Sequence, residues 1–236
     1  MLKVKNLQKK FGATTVLNDI TIDFPNTAVI VGLNGAGKTV FLNSITGISN
    51  IDSGSVELDG FKIGSREFKE RIFYIPSDFY LPHYMTGSEY ADFIMNRYPK
   101  SSSSLFFEIS SLLDLTNFLN TPIESYSFGM KKKLQLAIMF STPTPYILAD
   151  EVFSGLDLET SLIVRELFTI VTKSRNLVLV SHEKDIILHF SDCILVMKNG
   201  QLSRYKHPPE DIENFIKKEE HLDEKINLIK QRLHSI

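Results

Sequence analysis

Apolar and polar residues alternate through the first third of the chain. The two-residue period runs through Met1-Leu2-Lys3-Val4-Lys5-Asn6 and again through Ile20, Ile22 and Phe24 in the stretch 16–24, which Pro25-Asn26 closes as a turn. Ala28-Val29-Ile30-Val31 has no polar member, the pattern of a central strand buried on both faces. A short strand is predicted at 54–60, ending in the turn pair Asp59-Gly60. The period then changes from two to 3.6: stretches 87–98, 104–119 and 130–140 carry apolar residues at helical spacing, with the serines of 101–104 as loop and N-cap. Beyond them strand and helix alternate: strand 146–149, helix 159–171, strand 177–180, helix 184–190. That order predicts a parallel α/β sheet with a helical insert. Asn199-Gly200 joins strands 193–196 and 201–205 as a hairpin.

After Pro208-Pro209, residues Ile212, Phe215, Leu222, Ile226, Ile229, Leu233 and Ile236 recur at three- and four-residue spacing in a Lys/Glu-rich helix. This narrow seam fits either packing on its own domain or pairing with a second copy of the chain. There is no tandem repeat, so the chain holds one copy of each motif.

Composition excludes several classes. At 236 residues, 43% hydrophobic and 23% charged, the chain can bury a full core and is neither disordered nor fibrous. A formal net charge of −2 provides no global basic excess, so no nucleic-acid partner is expected. The single cysteine, Cys193, cannot form an intrachain disulfide and sits in an apolar run suited to a small buried hydrophobe. No apolar run approaches the ~20 residues of a spanning helix, and the start lacks the apolar stretch of a secretion signal. On this reading the chain is soluble.

The chemistry concentrates in two places. Gly32-Leu33-Asn34-Gly35-Ala36-Gly37-Lys38-Thr39 fits G-x-x-x-x-G-K-[ST] and stands between the buried strand and the helical stretch that begins at Val40. In such a P-loop the backbone N–H groups curl around phosphate, Lys38 reaches the terminal phosphates and the Thr39 hydroxyl ligates Mg²⁺. The second place is Asp150-Glu151 at the end of strand 146–149, on the carboxyl edge of the sheet that faces the nucleotide. Asp150 suits Mg²⁺; Glu151, one residue on, suits polarisation of an attacking water. ATP or GTP hydrolysis is therefore the favoured reaction, on an α/β P-loop NTPase core with an N-terminal antiparallel β subdomain and a helical insert.

Between these sites, Ser125-Tyr126-Ser127-Phe128-Gly129-Met130-Lys131 resembles the signature of ATP-binding cassette (ABC) transporter nucleotide-binding domains, usually Leu-Ser-Gly-Gly-Gln. Phe11, Ser154-Gly155-Leu156-Asp157 and Ser181-His182-Glu183 stand in the family's order, so the resemblance runs from about residue 2 to 205. It implies an ATP-binding domain over 1–205, with a helical subdomain at about 78–141 and a tail at 206–236. It further implies that Phe11 stacks on adenine, that Ser127 and Gly129 cap the γ-phosphate of a second subunit's ATP, that Asp157 links the two sites, and that His182 bonds the γ-phosphate and positions the water. Ser77 stands where the family has a Mg²⁺-touching Gln, Met130 replaces the signature Gln and Phe128 its first Gly. Expected cofactors are ATP and Mg²⁺, the latter held by Thr39, Ser77 and Asp150. Expected partners are a second cassette, identical or paralogous, and separate membrane-spanning subunits that place the chain on the cytoplasmic side of the cell membrane. The loose signature resembles bacterial exporter cassettes for drugs, antibiotics or peptides; import, or a non-transport P-loop ATPase, is the alternative.

Overall fold

The computed structural model describes residues 1–78, 80–219 and 230. Two sheets form the frame. The first is antiparallel, built from β1 (Leu2–Phe11), β2 (Thr14–Asp23), β4 (Ser53–Leu58) and β5 (Phe61–Lys62) in the order β2-β1-β4-β5. The second contains β3 (Thr27–Val31), β6 (Ile72–Ile75), β7 (Tyr146–Asp150), β8 (Asn176–Val180), β9 (Ile194–Lys198) and β10 (Gln201–Arg204), ordered β10-β9-β3-β8-β7-β6. Its strands run parallel except for the β9-β10 hairpin.

The continuous apolar run of β3 is explained by what lies on each side. Ala28 and Ile30 pack with Phe41, Leu42 and Ile45 of α1 (Lys38–Thr46) and with the antiparallel sheet; Val29 and Val31 face the helical insert. Both faces are covered from Ala28 to Val31, and all four positions are apolar. At Asn199 and Gly200, φ of 51° and 73° makes the two-residue turn that twisted hairpin strands require. Asp59 and Gly60, at 52° and 86°, repeat the device and lead into β5, a strand too short to leave a sequence signal.

Caps set the helix boundaries. Ser65 caps α2 (Arg66–Arg71), and Thr86 with Glu89 forms a capping box on α3 (Gly87–Met95). Ser102 caps α4 (Ser103–Leu112) and Ser127 caps α5 (Phe128–Phe140). The expected helix over 104–119 is corrected: α4 ends at Leu112, Asp114 turns left-handed at φ 58°, and a separate 3₁₀ turn spans Thr116–Phe118. Leu113, Leu115 and Leu119 keep the apolar spacing, but they reach the core from a bent path.

The C-terminal half adds α6 (Leu158–Val171), α7 (Lys184–His189) and α8 (Ile212–Glu219). Within α8, Ile212 is 1% exposed and Phe215 and Ile216 pack on the main core, so the described start of the seam is satisfied within the chain. Leu222, Ile226, Ile229, Leu233 and Ile236 lie outside the described residues. Among the described residues no helix is long and apolar enough to cross a membrane.

Candidate active site

The loop between β3 and α1 is shaped by two glycines with different tasks. At Gly32 any Cβ would sit 2.3 Å from the Met197 carbonyl oxygen, so β9 can approach only a glycine. At Gly37 the backbone is left-handed at φ 104° and precedes the first turn of α1 with no side-chain cap. The first N–H groups of the helix therefore point outward with the positive end of its dipole, the arrangement that receives phosphate. Lys38 is 6% exposed and folds back so that Nζ donates to Gly32 O at 2.8 Å and Leu33 O at 2.9 Å. Burial holds its pKa below the ordinary lysine value, while Glu151 and Asp150 nearby favour the charged form.

Strand parity aims the first carboxylate. In β7, Tyr146 and Leu148 face the α1 side, so Asp150 does too; it is fully buried and meets Thr39. Thr39 Oγ1 donates to Asp150 Oδ2 at 2.6 Å and Ser77 Oγ donates to the same oxygen at 3.1 Å. The serine that replaces the resemblance's Gln thus still reaches the Asp150 carboxylate. Asp150 Oδ1 is buried without a hydrogen-bond partner. Burial raises the Asp150 pKa, against the lowering effect of the Thr39 and Ser77 hydrogen bonds. A buried carboxylate with one orphaned oxygen, two hydroxyls and an adjacent phosphate cradle is the donor set that suits Mg²⁺, which keeps most of its waters and takes few protein ligands.

Glu151 leaves the strand geometry. Its φ of 49° turns the chain, its N–H donates to Val180 O at 3.0 Å, and its carboxylate swings toward the end of β8. There His182 Nε2 lies 2.9 Å from Glu151 Oε1, with both side chains partly exposed. The two residues predicted to act on water are therefore in direct contact.

The remaining predicted residues lie around this centre. Phe11 ends β1, 54% exposed with Lys9 Nζ 5.0 Å from its ring centroid, on the β1-β2 hairpin whose Val16 and Leu17 abut Gly37. Asn34, Gly35 and Ala36 form the tip of the loop, and Val40 stands in the first turn of α1. Ser127 and Gly129 open α5; Ser127 Oγ accepts from Met130 N at 3.2 Å, and a Cβ on Gly129 would lie 3.4 Å from Gly155 O. Among the described residues no hydrogen bond joins Ser127 or Gly129 to the P-loop, Asp150 or Glu151. Asp157 is occupied within its own chain: it caps α6 through Thr160 N and Thr160 Oγ1, both at 2.8 Å, and pairs with Lys133 at 3.4 Å. Those hydrogen bonds, the Thr160 backbone first, lower its pKa to about 2.

Lys132 went unassigned in the sequence. It is 1% exposed on α5, and its Nζ donates to Glu151 O at 2.7 Å and to Ser154 O. A signal existed: Phe128, Lys132 and Leu136 fall on one helix face by the four-residue spacing, and Leu136 is fully buried.

The sequence profile of the ABC transporter family matches residues 17–154, from β2 through the P-loop to the turn beyond Glu151. The chain belongs to the ABC transporter family. It is an ATP-binding subunit and an ATP hydrolase of the ABC type. The phosphonates import ATP-binding protein PhnC of Fusobacterium nucleatum is 26% identical, over 92% of this chain and 97% of its own. The lantibiotic transport ATP-binding protein SrtF of Streptococcus pyogenes is 27% identical, over 86% of this chain and 89% of its own. Among solved structures, a dimeric ATP-binding cassette in a post-hydrolysis state with ADP and Pi superposes with TM-score 0.76 at 21% identity, covering 88% of this chain and 100% of that one. The fold built from the two sheets and the helical insert is thus shared with that structure.

Proposed function

We propose that this cassette binds Mg-ATP at the P-loop, hydrolyses it as a two-chain assembly, and drives a solute through separate membrane subunits on whose cytoplasmic side it sits. The observation that carries this reading is the convergence of Lys38, Thr39, Ser77, Asp150 and the Glu151–His182 pair on one edge of the parallel sheet. Bound Mg²⁺ would supply charge neutralisation of the β- and γ-phosphates, with Thr39, Ser77 and Asp150 as the protein groups that hold it. Glu151 accepts a proton from the attacking water while His182 keeps its carboxylate oriented. The P-loop N–H groups and Lys38 stabilise the charge that develops on the phosphates. Phe11, exposed on the neighbouring hairpin, offers a ring for adenine.

Two chains are needed because Ser127 and Gly129 cap a helix N-terminus with no hydrogen bond to this chain's own P-loop among the described residues. A head-to-tail pair brings that terminus to the partner's nucleotide, as the dimeric state of the cassette relative supports. In this reading residues 1–205 are the ATP-binding unit, with 78–141 as its helical part. The loop beyond Ser77, with Tyr80 and Tyr84 at 82% and 85% exposure, is the surface for the membrane subunits.

Export of a drug, antibiotic or peptide is the direction that the Tyr-Ser-x-Gly-Met-Lys signature favours. Import is the second reading, favoured by the phosphonate-import relative. Purified chain, assembled with its copurifying membrane subunits in vesicles, tests both levels. Mg-dependent ATP hydrolysis is expected, and the side of the vesicle on which solute accumulates decides direction; ATP binding without turnover in that assembly overturns the enzymatic reading.

A further inference from the structure

Lysine seldom lies 1% exposed, because an ammonium loses its hydration on burial and must find ligands inside. Lys132 finds them in the turn that follows β7. Its Nζ donates to the carbonyls of Glu151 and Ser154, while Ser154 N donates back to Glu151 O at 3.2 Å and closes the turn. Phe128, one helical turn earlier, covers the amine with its ring centroid 5.0 Å from Nζ. The same ring lies against Gly155, where a Cβ would meet its edge carbons at 3.2 Å. Phe128, a departure of this signature from its usual form, and Lys132, two residues beyond the signature, therefore make one contact with the turn that carries Glu151.

Glu151 is consequently held on three sides. Its N–H is bound by Val180 of β8, its carboxylate by His182, and its carbonyl by Lys132 of α5. A non-glycine residue at φ 49° persists where its surroundings over-determine it, and among the described residues Lys132 supplies the hydrogen bond to Glu151 that comes from the signature helix. We propose that Lys132 is a positioning residue for hydrolysis, tying the start of the signature helix to the main chain of Glu151 so that the carboxylate stands correctly against the water. This rests on Glu151 being the group that polarises water. A displacement of α5 would reach Glu151 through this amine.

The test uses the assembled transporter and reads kcat, KM, ATP affinity and thermal stability for Lys132→Met, Lys132→Gln and Glu151→Gln. Lys132→Met keeps the length of the side chain and removes its hydrogen bonds. It is expected to lower kcat about 10- to 100-fold, since a small misplacement of a catalytic group has that size of effect. KM and ATP affinity should stay within about threefold. Lys132→Gln, which restores an N–H donor, should recover most of the loss. The proposal is overturned if folded Lys132→Met turns over normally, or if its loss of kcat is matched by loss of ATP affinity. Should Lys132→Met not fold, the same split is read on Lys132→Leu, which also removes the hydrogen bonds, and unchanged kcat there overturns the proposal. Full turnover by Glu151→Gln would instead remove the reading of the site on which it rests.

Discussion

Asp150 shows how a functional residue spends stability. Its folded pKa is raised by burial, so the folded state binds a proton more readily than the unfolded state and stability falls as pH rises through the folded value. In the nucleotide-free protein the carboxylate is a penalty once ionised. Asp150→Asn should therefore raise the melting temperature of the nucleotide-free protein while abolishing Mg-dependent turnover; scanning calorimetry beside an ATPase assay reads both. Asp157 has the opposite sign. Its folded pKa of about 2 lies below the unfolded value near ~3.9, so its contribution is present above about pH 4 and lost as pH falls toward 2. Because the side chain is largely exposed, the effect is small and salt-sensitive. Asp157→Asn keeps a cap acceptor but removes the titration, so its melting temperature should fall less than wild type between pH 5 and 2. At the site itself, Lys38→Ala should cost about 10²–10³-fold in turnover, measured at saturating ATP.

At the scale of elements, the apolar pattern was informative where burial alone decided the residue types. The strands β3, β7 and β8 could be read directly, because burial on both faces leaves uninterrupted apolar runs. The path from 104 to 119 misled, because Leu113, Leu115 and Leu119 are apolar for the core while Asp114 breaks the helix between them. The six-residue α2 was invisible: it is too short to show a period, and only Phe68 is buried. For α8, Ile212 anchors the helix beside Lys184, whose Nζ lies 3.1 Å from Glu213. Phe215 and Ile216 line a small cavity with Gly32 and Leu33 at the foot of the P-loop. Ile212→Ala should destabilise the protein by about 2–5 kcal/mol in urea unfolding, as buried Ile truncations do. Truncation after Tyr205 measured by light scattering separates this intrachain role from dimerisation: a dimer that forms unchanged assigns the tail to its own domain.

For the whole molecule, the proposed mechanism pairs this cassette's P-loop with the signature of a second cassette. Glu151→Gln with Mg-ATP should accumulate as a dimer in size-exclusion chromatography. Adding Gly129→Asp should block that dimer while leaving ATP binding by the single chain intact, since space for a side chain exists at Gly129 in the isolated fold. By itself the sequence determined the strand–loop–helix of the P-loop, the paired carboxylates, the order of motifs and the α/β class, because these depend on local spacing and on residue types that few other chemistries use. Only the tertiary structure decided that Ser77 still reaches Asp150, that His182 meets Glu151, that Asp157 is engaged within its own chain, and that Lys132 reaches across to Glu151. Those contacts join residues 19 to 73 positions apart, or a side chain to a cap it shares with its own helix, and no periodicity encodes which acceptor a buried donor will find.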